Sequence, residues 1–423
     1  MSFTAFVLNP YEKTNKGVEE DALQSEAQHQ EIMELAKAIS LDVIHDQIIA
    51  LRKISPATYI GKGIIADVKE LASETQPDVI IVNASLTPIQ QRNLEKQWDA
   101  KVIDRVGLIL EIFGARAQTK EGKLQVELAS LEYQKSRLVR SWTHLERQRG
   151  GTGATGGPGE TQIEIDRRLI GERITQIKKD IEQVKKNRAL QKRSREQVPY
   201  PIVALVGYTN AGKSTLFNGL TGANIMAKDM LFATLDTTMR RTELPSGQEI
   251  ILSDTVGFIS DLPTHLITAF RATLEQVTYA NVILHVQDIS SPNHKAQKAE
   301  VERILKDFDI EPDADHIINV YNKIDLMPDK DRKAALKFEL PSEAYISAEK
   351  RYGLDKLLIK IEEYLQSEYE EIDLKLSHKD GKAINWIHEH ADILSHEVDD
   401  KYVYIKALIH PRDLGKYKQL FIK

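Results

Sequence analysis

The sequence Gly207-Tyr-Thr-Asn-Ala-Gly-Lys-Ser214 directly follows the apolar run at residues 202–206. A strand pattern, then Gly-x-x-x-x-Gly-Lys-Ser, then a helix pattern is typical of a phosphate-binding loop. Such a loop turns backbone N–H groups toward phosphates at the start of a helix, where negative charge is favoured. We therefore expect Lys213 to contact β- and γ-phosphate oxygens and Ser214 to ligate Mg²⁺. The alternative is a glycine turn that only begins a helix.

A second motif, Asp254-Thr-Val-Gly257, ends the apolar strand pattern at residues 250–253. A carboxylate at the carboxyl end of a strand can hold a magnesium shell, and the Gly257 N–H can meet a γ-phosphate. Between the two motifs lies Phe-Ala-Thr-Leu-Asp-Thr-Thr at residues 232–238. We expect Thr234 to complete the Mg²⁺ shell when a γ-phosphate is present, with Thr237 as the alternative.

A third motif, Asn322-Lys-Ile-Asp325, follows the strand pattern at residues 317–321. The Asp325 carboxylate only accepts hydrogen bonds, so it can take both N1–H and N2–H₂ of guanine, a pair of donors that adenine lacks. Lys323 can cover the ring, and a backbone N–H at Ser347-Ala348 can meet the guanine O6. These residues predict a protein that selects GTP over ATP.

The expected site is defined by the following residues. Nucleotide contacts are expected from Gly207, Tyr208, Thr209, Asn210, Ala211, Gly212, Lys213, Ser214, Thr215, Phe232, Ala233, Thr234, Leu235, Asp236, Asp254, Thr255, Val256, Gly257, Asn322, Lys323, Ile324, Asp325, Ser347 and Ala348. Catalytic roles are expected for Lys213, Thr234, Gly257 and Asn210. The Mg²⁺ ligands are expected to be Ser214, Thr234 and Asp254.

The rest of the chain divides into four segments by its hydrophobic patterns. The nucleotide motifs fall in a GTPase domain at 199–367, where strand patterns at 249–253, 282–286, 317–321 and 344–346 alternate with helix patterns and predict a doubly wound parallel sheet. A small α/β domain is expected at 1–115, since Thr87-Pro-Ile-Gln90 reads as a capping box between two strand patterns. A small α/β tail is expected at 368–423, with a helix at 380–394 and a strand at 402–408.

The segment at 116–198 is expected to be a helical hairpin. Apolar residues recur at steps of three, four and seven on both sides of the glycine-rich stretch 150–160, which predicts two antiparallel helices with a flexible tip. Residues 124–198 hold sixteen Lys/Arg against ten Asp/Glu, whereas the whole chain of 423 residues has a formal charge of −6. A basic segment in an acidic protein is a candidate RNA contact, and we expect Arg137, Arg140, Arg147 and Arg149 to take part. A solvated coiled-coil arm is the alternative.

Composition narrows the class of protein further. Zero cysteines exclude disulfides and thiolate catalysis and fit a reducing compartment, so we expect a cytoplasmic protein. No apolar run approaches the roughly 18 residues that span a bilayer. The Gly61-Lys-Gly63 turn is a weak candidate for a second phosphate site and more simply the start of a helix. His388 and His390 are two apart on a predicted helix, which argues against a shared metal.

With these segments in place, the chain resembles the HflX family of ribosome-associated GTPases within the translation-factor-like class. The narrower resemblance is carried by motifs outside the nucleotide site. They are Tyr59-Ile-Gly-Lys-Gly63, Gln90-Gln-Arg-Asn-Leu94, Val102-Ile-Asp-Arg-Val-Gly-Leu-Ile109, Arg116-Ala-Gln-Thr-Lys-Glu-Gly-Lys-Leu-Gln-Val-Glu127, Gly156-Gly-Pro-Gly-Glu-Thr-Gln162 and Ala269-Phe-Arg-Ala-Thr-Leu-Glu275. The resemblance implies a GTPase that binds the large (50S) ribosomal subunit and its rRNA through the hairpin. We also expect the protein to use Mg²⁺ and to be a monomer. The resemblance further implies splitting or rescue of stalled ribosomes, or a role in ribosome biogenesis.

Two residues bear on how hydrolysis would proceed. Phe258 stands where many GTPases of this class carry a glutamine that orients the attacking water, so slow intrinsic turnover is expected. Asn210 stands where some GTPases use an asparagine oxygen to hold K⁺ between the phosphates, which makes K⁺ a further candidate cofactor. An asparagine that merely tightens the loop is the alternative.

Two other functions compete with a ribosomal GTPase. One is a regulatory GTPase that acts only on protein effectors and uses the hairpin to dimerise. The other is an ATP-driven RNA-remodelling enzyme that uses the N-terminal domain. Binding to large subunits and nucleotide turnover by residues 1–198 would separate these functions.

Overall fold

The computed structural model of the chain describes residues 3–13, 18–148, 162–195, 200–222, 232, 238–259, 277–337, 339–367, 369–409 and 411–421. Within these residues, the α/β fold expected from the sequence is present. No helix of this part of the chain is long and apolar enough to span a bilayer. The four segment boundaries stay a prediction.

The N-terminal part is a four-stranded parallel sheet with strand order β2-β1-β3-β4. Its elements are β1 Thr4–Glu12, α1 Val18–Ala38, β2 Asp42–Leu51, α2 Lys62–Thr75, β3 Val79–Val82, α3 Pro88–Trp98, β4 Val102–Asp104 and α4 Arg105–Arg116. The predicted capping box at the start of α3 is present, because Gln90 N donates to Thr87 Oγ1 at 3.3 Å and Thr87 N donates to Gln90 Oε1 at 2.9 Å. These two bonds satisfy backbone donors that the helix itself cannot pair.

Two long helices follow, α5 Lys120–Gln148 and α6 Gln162–Arg195. They pack through an apolar seam formed by Leu128, Ile174, Ile177 and Ile181, which belong to the repeat seen in the sequence. Two ion pairs cross the seam at the surface, Arg173 to Glu127 and Lys178 to Glu132, at 2.7 and 2.9 Å. The predicted helical pair is therefore present, while its tip at 151–159 lies outside the described residues.

The nucleotide motifs lie on a six-stranded sheet with order β10-β9-β8-β5-β7-β6. Its elements are β5 Ile202–Gly207, α7 Lys213–Thr221, β6 Thr238–Glu243, β7 Glu249–Asp254, β8 Val282–Asp288, α8 His294–Lys306, β9 Ile317–Asn322, α9 Asp329–Lys337, β10 Glu343–Tyr345 and α10 Leu354–Ser367. Strands β5, β7, β8, β9 and β10 are parallel, as expected. The edge strand β6 is antiparallel to β7, and the sequence did not predict it. Its Met-Arg-Arg centre at 239–241 is exposed, so β6 has no apolar run to mark it.

The two sheets share one apolar core. Residues of β5 alternate between its two faces, because successive strand side chains point to opposite sides of a sheet. Val203 and Leu205 pack with α7 and α10, whereas Ala204 and Val206 join a cluster that also holds Ile32 of α1 and residues of α4. The N-terminal part is thus packed directly against one face of the nucleotide-binding sheet.

The C-terminal part is a three-stranded antiparallel sheet with order β11-β13-β12. Its elements are β11 Glu370–Ser377, α11 Gly381–His390, β12 Ala391–Val398, β13 Tyr402–Ile409 and α12 Pro411–Phe421. The helix expected at 380–394 ends at His390, and the chain continues as β12. Most of β12 is exposed, so its pairing with β13 is not marked by an alternating apolar pattern. The closing helix α12 was also not predicted.

Candidate nucleotide-binding site

The phosphate-binding loop leaves the carboxyl end of β5 and enters α7 at Lys213. Gly207 and Gly212 have φ angles of 153° and 90°, which side-chain-bearing residues rarely adopt. A Cβ atom at Gly207 would lie 2.1 Å from the Val286 carbonyl oxygen, and one at Gly212 would lie 2.2 Å from Asn322 Nδ2. The geometry of the loop therefore requires glycine at both positions.

Lys213 is held by the loop it follows. Its Nζ donates to the Gly207 carbonyl at 3.0 Å and to the Tyr208 carbonyl at 2.7 Å. An ammonium group has three N–H donors, so this arrangement leaves one for a phosphate oxygen. Burial lowers the pKa of Lys213 to about 8, against the opposing charge of Asp254. An anion beside the ammonium would favour its charged form.

The residues expected to hold Mg²⁺ are brought together at the carboxyl end of β7. Asp254 is the last residue of the strand, and its Oδ2 accepts a hydrogen bond of 2.8 Å from Ser214 Oγ. A carboxylate and a hydroxyl are the hard oxygen donors that Mg²⁺ prefers, together with phosphate oxygens and water. The pair therefore fits the ion. Thr255 Oγ1 donates to the Leu205 carbonyl at 2.6 Å, which ties this strand end to β5.

The segment after Asp254 lies against the phosphate-binding loop. Thr209 N donates to the Phe258 carbonyl at 2.7 Å, and Phe258 N donates to the Gly207 carbonyl at 3.1 Å. A Cβ atom at Gly257 would lie 2.8 Å from Thr209 Cγ2 and 3.0 Å from Lys213 Nζ, so only glycine fits there. Phe258 is buried and packs in the shared apolar core, so it cannot orient a water molecule by hydrogen bonding.

Thr209 gives an independent sign that the loop is shaped for a ligand. The residue is buried, and its Oγ1 has no hydrogen-bond partner among the described residues. A buried hydroxyl without a partner costs free energy, so such groups are usually satisfied by something bound. A phosphate oxygen suits this donor.

Asn322 joins the phosphate end of the site to the base end. Its Nδ2 donates to the Ala211 carbonyl at 2.9 Å, and its Oδ1 accepts from Ala348 N at 2.9 Å. Both ends of the amide are thus bonded to protein. The backbone N–H expected to meet the guanine O6 is not free here, because Ala348 N donates to Asn322 and Ser347 N donates to the Tyr352 carbonyl at 3.0 Å. Asn322 holds the phosphate-binding loop and the Ser347-Ala348 loop in register, which places both around one bound molecule.

The groups expected to read guanine lie together after β9. Burial raises the pKa of Asp325, but hydrogen bonds from Ser347 and the backbone and the charge of Lys350, 3.5 Å away, outweigh burial and lower the pKa below its ordinary value. The carboxylate is therefore ionised and able to accept two N–H groups. Lys323 forms an ion pair with Asp288 at 2.7 Å.

The switch segment is described only at Phe232. Its ring packs edge-on against Phe113 of α4, with ring centres 4.6 Å apart. Ala233, Thr234, Leu235, Asp236 and Thr237 lie outside the described residues, so the choice between Thr234 and Thr237 stays a prediction.

Two residues of α1 reach this site, and sequence reasoning missed both. Glu31 accepts a hydrogen bond from the Tyr208 hydroxyl, and Glu34 is hydrogen-bonded to the Asn210 side chain. They are about 175 positions away in the chain from the loop they contact. No local motif marks either one, since the signal lies in the packing of α1 on the nucleotide-binding sheet.

The glycine turn considered as a second phosphate site and the histidine pair considered as a metal site both have structural roles. The Gly61-Lys-Gly63 turn begins α2, and a Cβ atom at either glycine would meet nothing within 4 Å, so no close approach requires them. His390 stacks on Trp386, and His388 packs edge-on against His396. Among the residues described, no group of three or more His, Asp or Glu side chains could hold a metal.

Of the four hairpin arginines expected to contact RNA, only the Arg137 side chain lies in the described part of the chain. Arg137, expected to meet RNA, instead donates to buried Asp104 at 2.6 Å and lies over the Tyr133 ring. Its guanidinium thus serves the packing of α5. The side chains of Arg140 and Arg147, and Arg149 as a whole, lie outside the described part.

Comparisons with known proteins cover most of the chain. Residues 26–114, 116–195 and 202–323 match families described as "GTP-binding GTPase N-terminal", "GTP-binding GTPase Middle Region" and "50S ribosome-binding GTPase". The chain is 47% identical over 388 residues to "GTPase HflX" of Magnetococcus marinus, covering 91% of this chain and 89% of that protein. It is 44% identical over 381 residues to "GTPase HflX" of Caldanaerobacter subterraneus, covering 89% and 86%.

A looser likeness exists to a solved structure. A GTP-binding protein of the archaeon Sulfolobus solfataricus in complex with GDP is 22% identical, covers 86% of this chain and 99% of its own, and gives a TM-score of 0.45. That overlap is too loose to add to the family assignment. The matches over most of both chains, together with a site arranged for a guanine nucleotide, place this chain in the HflX family of GTPases, which bind and hydrolyse GTP.

Proposed function

We propose that this GTPase acts on the large ribosomal subunit and, in its GTP-bound form, separates stalled ribosomes. The observation that carries the proposal is the joining of a GTP site to a long two-helix arm. At 1.5 Å per residue, the 34 residues of α6 make an arm of about 50 Å. An arm of that length can place its tip far from the nucleotide and inside a partner.

Charge supports RNA as the surface that the arm meets. Residues 124–198 carry an excess of six positive charges in a chain whose total is −6. Phosphate backbones attract such segments without base recognition, and glycine-rich tips can approach them closely. The description "50S ribosome-binding GTPase" of the family matching residues 202–323 points to the same partner.

Sedimentation with isolated large subunits tests this function. The protein should co-sediment in the presence of a non-hydrolysable GTP analogue, less so with GDP, and binding should weaken steeply as salt rises. A protein that binds effectors only would stay in the supernatant with either nucleotide, and that result would favour the regulatory GTPase. An excess of free RNA, similar in length to the rRNA of the large subunit, is added as a competitor. It controls for binding that depends only on the charge of the phosphate backbone.

The chain's own residues suggest how hydrolysis proceeds. Lys213 places its remaining N–H donor toward the β- and γ-phosphates, and Gly257 offers its backbone N–H beside it. Mg²⁺, when held by Ser214 and Asp254, would supply positive charge to the phosphate oxygens. Phe258 cannot orient water, so we propose slow turnover until ribosomal contacts order the switch segment around the nucleotide.

Asn210 is the candidate for a further charge at the phosphates. Its φ of 60° places it in the left-handed region, and its side chain is bonded to Glu34. Burial raises the pKa of the Glu34 carboxyl, and the hydrogen bond from Asn210 opposes that rise. A bond with this effect is donated by the amide N–H₂ to the carboxyl oxygen, which leaves Oδ1 for another partner. We propose that this oxygen holds K⁺ when nucleotide is bound.

Comparing GTP turnover in KCl and NaCl tests the ion. K⁺ should accelerate hydrolysis more than Na⁺ at equal ionic strength, and Asn210→Ala should remove the difference. Equal rates in both salts, with and without large subunits, would leave Asn210 as a residue that tightens the loop.

A further inference from the structure

An unbroken set of polar contacts connects the phosphate-binding loop to the N-terminal part. The Tyr208 hydroxyl donates to Glu31 Oε1, and Arg105 donates to Glu31 Oε2 at 2.7 Å. The Glu31 and Arg105 side chains are only 13% and 7% exposed. Arg105 also donates to Asn83 Oδ1 at 2.9 Å, which fixes the guanidinium at the carboxyl end of β3.

Asp104, the residue before Arg105, connects this part of the N-terminal sheet to the hairpin. Asp104, 1% exposed, accepts from the Tyr133 hydroxyl at 2.5 Å and from Arg137 at 2.6 Å, both on α5. It also accepts from the backbone N–H of Gly107 at 2.8 Å, which caps α4. A further bond of 3.2 Å from the Leu86 N–H holds the loop between β3 and α3. Burial and the neighbouring Asp104 charge raise the pKa of Tyr133, so its hydroxyl stays a donor.

Asp104 and Arg105 are consecutive, so the two sets of contacts share one peptide. Charged hydrogen bonds in a buried setting are costly to leave unmade, which makes each link stiff. At the other end, Tyr208 lies between Gly207 and Thr209, whose backbones are bonded to Phe258. The position of Tyr208 therefore affects Lys213 and Gly257, which lie directly beside these bonds.

We propose that Glu31 is a positioning residue for the phosphate-binding loop, and that Asp104-Arg105 couples it to the helical hairpin. The hydrogen bond to Glu31 holds Tyr208, and with it the phosphate-binding loop, in the arrangement that receives a triphosphate. Binding to a loop already in place avoids the entropy of ordering it. A displacement of α5 changes the hold of Arg137 and Tyr133 on Asp104, and through Arg105 it changes the hold of Glu31 on Tyr208.

A double-mutant cycle in the full-length protein tests the coupling. The variants are Tyr208→Phe at the nucleotide end, Arg137→Gln at the hairpin end, and the pair together. The readout is the affinity for a non-hydrolysable GTP analogue in the absence of ribosomes, so the result does not depend on the ribosomal proposal. Arg173→Gln is the matched control, because Arg173 also pairs with a glutamate on the hairpin but has no place in these contacts.

Each single change should weaken the affinity by roughly threefold or more, and the double variant should bind about as well as Tyr208→Phe alone. Glu31→Ala should weaken the affinity at least as much as Tyr208→Phe, since it removes the acceptor of the Tyr208 hydroxyl together with the partner of Arg105. Arg173→Gln should bind like the wild type. If Arg137→Gln does not fold, Tyr133→Phe, which loses one hydroxyl, takes its place in the cycle.

Two outcomes would overturn the proposal. One is wild-type affinity in both Arg137→Gln and Tyr133→Phe, even if their thermal unfolding temperatures fall, because that pattern belongs to packing alone. The other is a double variant whose loss equals the product of the two single losses, since independent effects multiply.

Discussion

At the scale of single residues, we propose that Asp325 determines which base the site accepts. Asp325→Asn should weaken GTP binding by one to two orders of magnitude, because a buried polar contact to the base is lost. The same variant should gain affinity for xanthosine triphosphate, since an amide N–H can donate to the xanthine O2, which the carboxylate repels. Competition between the two triphosphates measures the change.

Asp329→Asn is the control for this substitution, because it removes the same charge four residues later on an exposed side chain. It should bind both nucleotides like the wild type. Retention of GTP affinity in Asp325→Asn would count directly against guanine reading by this residue.

Ser214 gives a second prediction at this scale. Ser214→Ala removes one oxygen ligand from the octahedral coordination shell of Mg²⁺, and this shell tolerates little distortion. The Mg²⁺ concentration needed for half-maximal GTP binding should therefore rise about tenfold or more. Ser214→Thr keeps the hydroxyl and should largely restore the wild-type requirement. An unchanged Mg²⁺ titration in Ser214→Ala would mean that this hydroxyl is not a ligand.

Local motifs predicted which residues meet at the centre of the candidate site, whereas no motif marked the residues at its rim. Ser214 and Asp254 are adjacent as expected, because the carboxyl ends of β5 and β7 meet at one edge of the sheet. Glu31 and Glu34 could not be foreseen, since their contacts depend on where α1 packs. Arg137 was assigned to RNA because the sequence shows its charge but not that it forms an ion pair with the buried Asp104 carboxylate.

At the scale of elements, the hairpin carries the proposed ribosomal contact. Replacing residues 151–159 with a short linker should abolish binding to large subunits while leaving GTP affinity in the free protein unchanged. The physical reason is that the apolar seam and the contacts of Asp104 lie toward the other end of the arm. Normal subunit binding by this variant would place the ribosomal contact elsewhere on the molecule.

A variant with the tip replaced by nine Gly/Ser residues separates length from sequence. Restored binding would mean that reach is sufficient, and continued loss would mean that the tip residues themselves make the contact. Either outcome is interpretable only if GTP affinity stays at the wild-type value in both variants.

Elements with a buried face were predicted more accurately than exposed ones. The strands β5, β7, β8 and β9 are apolar because both faces of a parallel sheet are covered, and their positions matched within one or two residues. Strands β6 and β12 are exposed at sheet edges, where polar residues are favoured, so nothing in their composition distinguished them from a loop or a helix.

At the scale of the whole molecule, the N-terminal part and the nucleotide-binding sheet are packed together around a shared core. Ile32 of α1, Phe113 of α4 and Phe258 beside the phosphate-binding loop belong to the same apolar cluster. The hairpin is joined to that core by buried Asp104. A partner that moves the arm can therefore affect the nucleotide, and a nucleotide that orders the loop can affect the arm, because coupling between two sites is reciprocal.

We propose that GTP binding enables this protein to separate ribosomal subunits. Sucrose-gradient analysis of intact ribosomes incubated with the protein tests it directly. With a non-hydrolysable GTP analogue, the intact-ribosome peak should shrink, free subunits should appear, and the protein should migrate with the large subunit, whereas GDP should leave the profile unchanged. An undiminished intact-ribosome peak with the GTP analogue, and protein remaining at the top of the gradient, would mean that the protein does not separate ribosomal subunits.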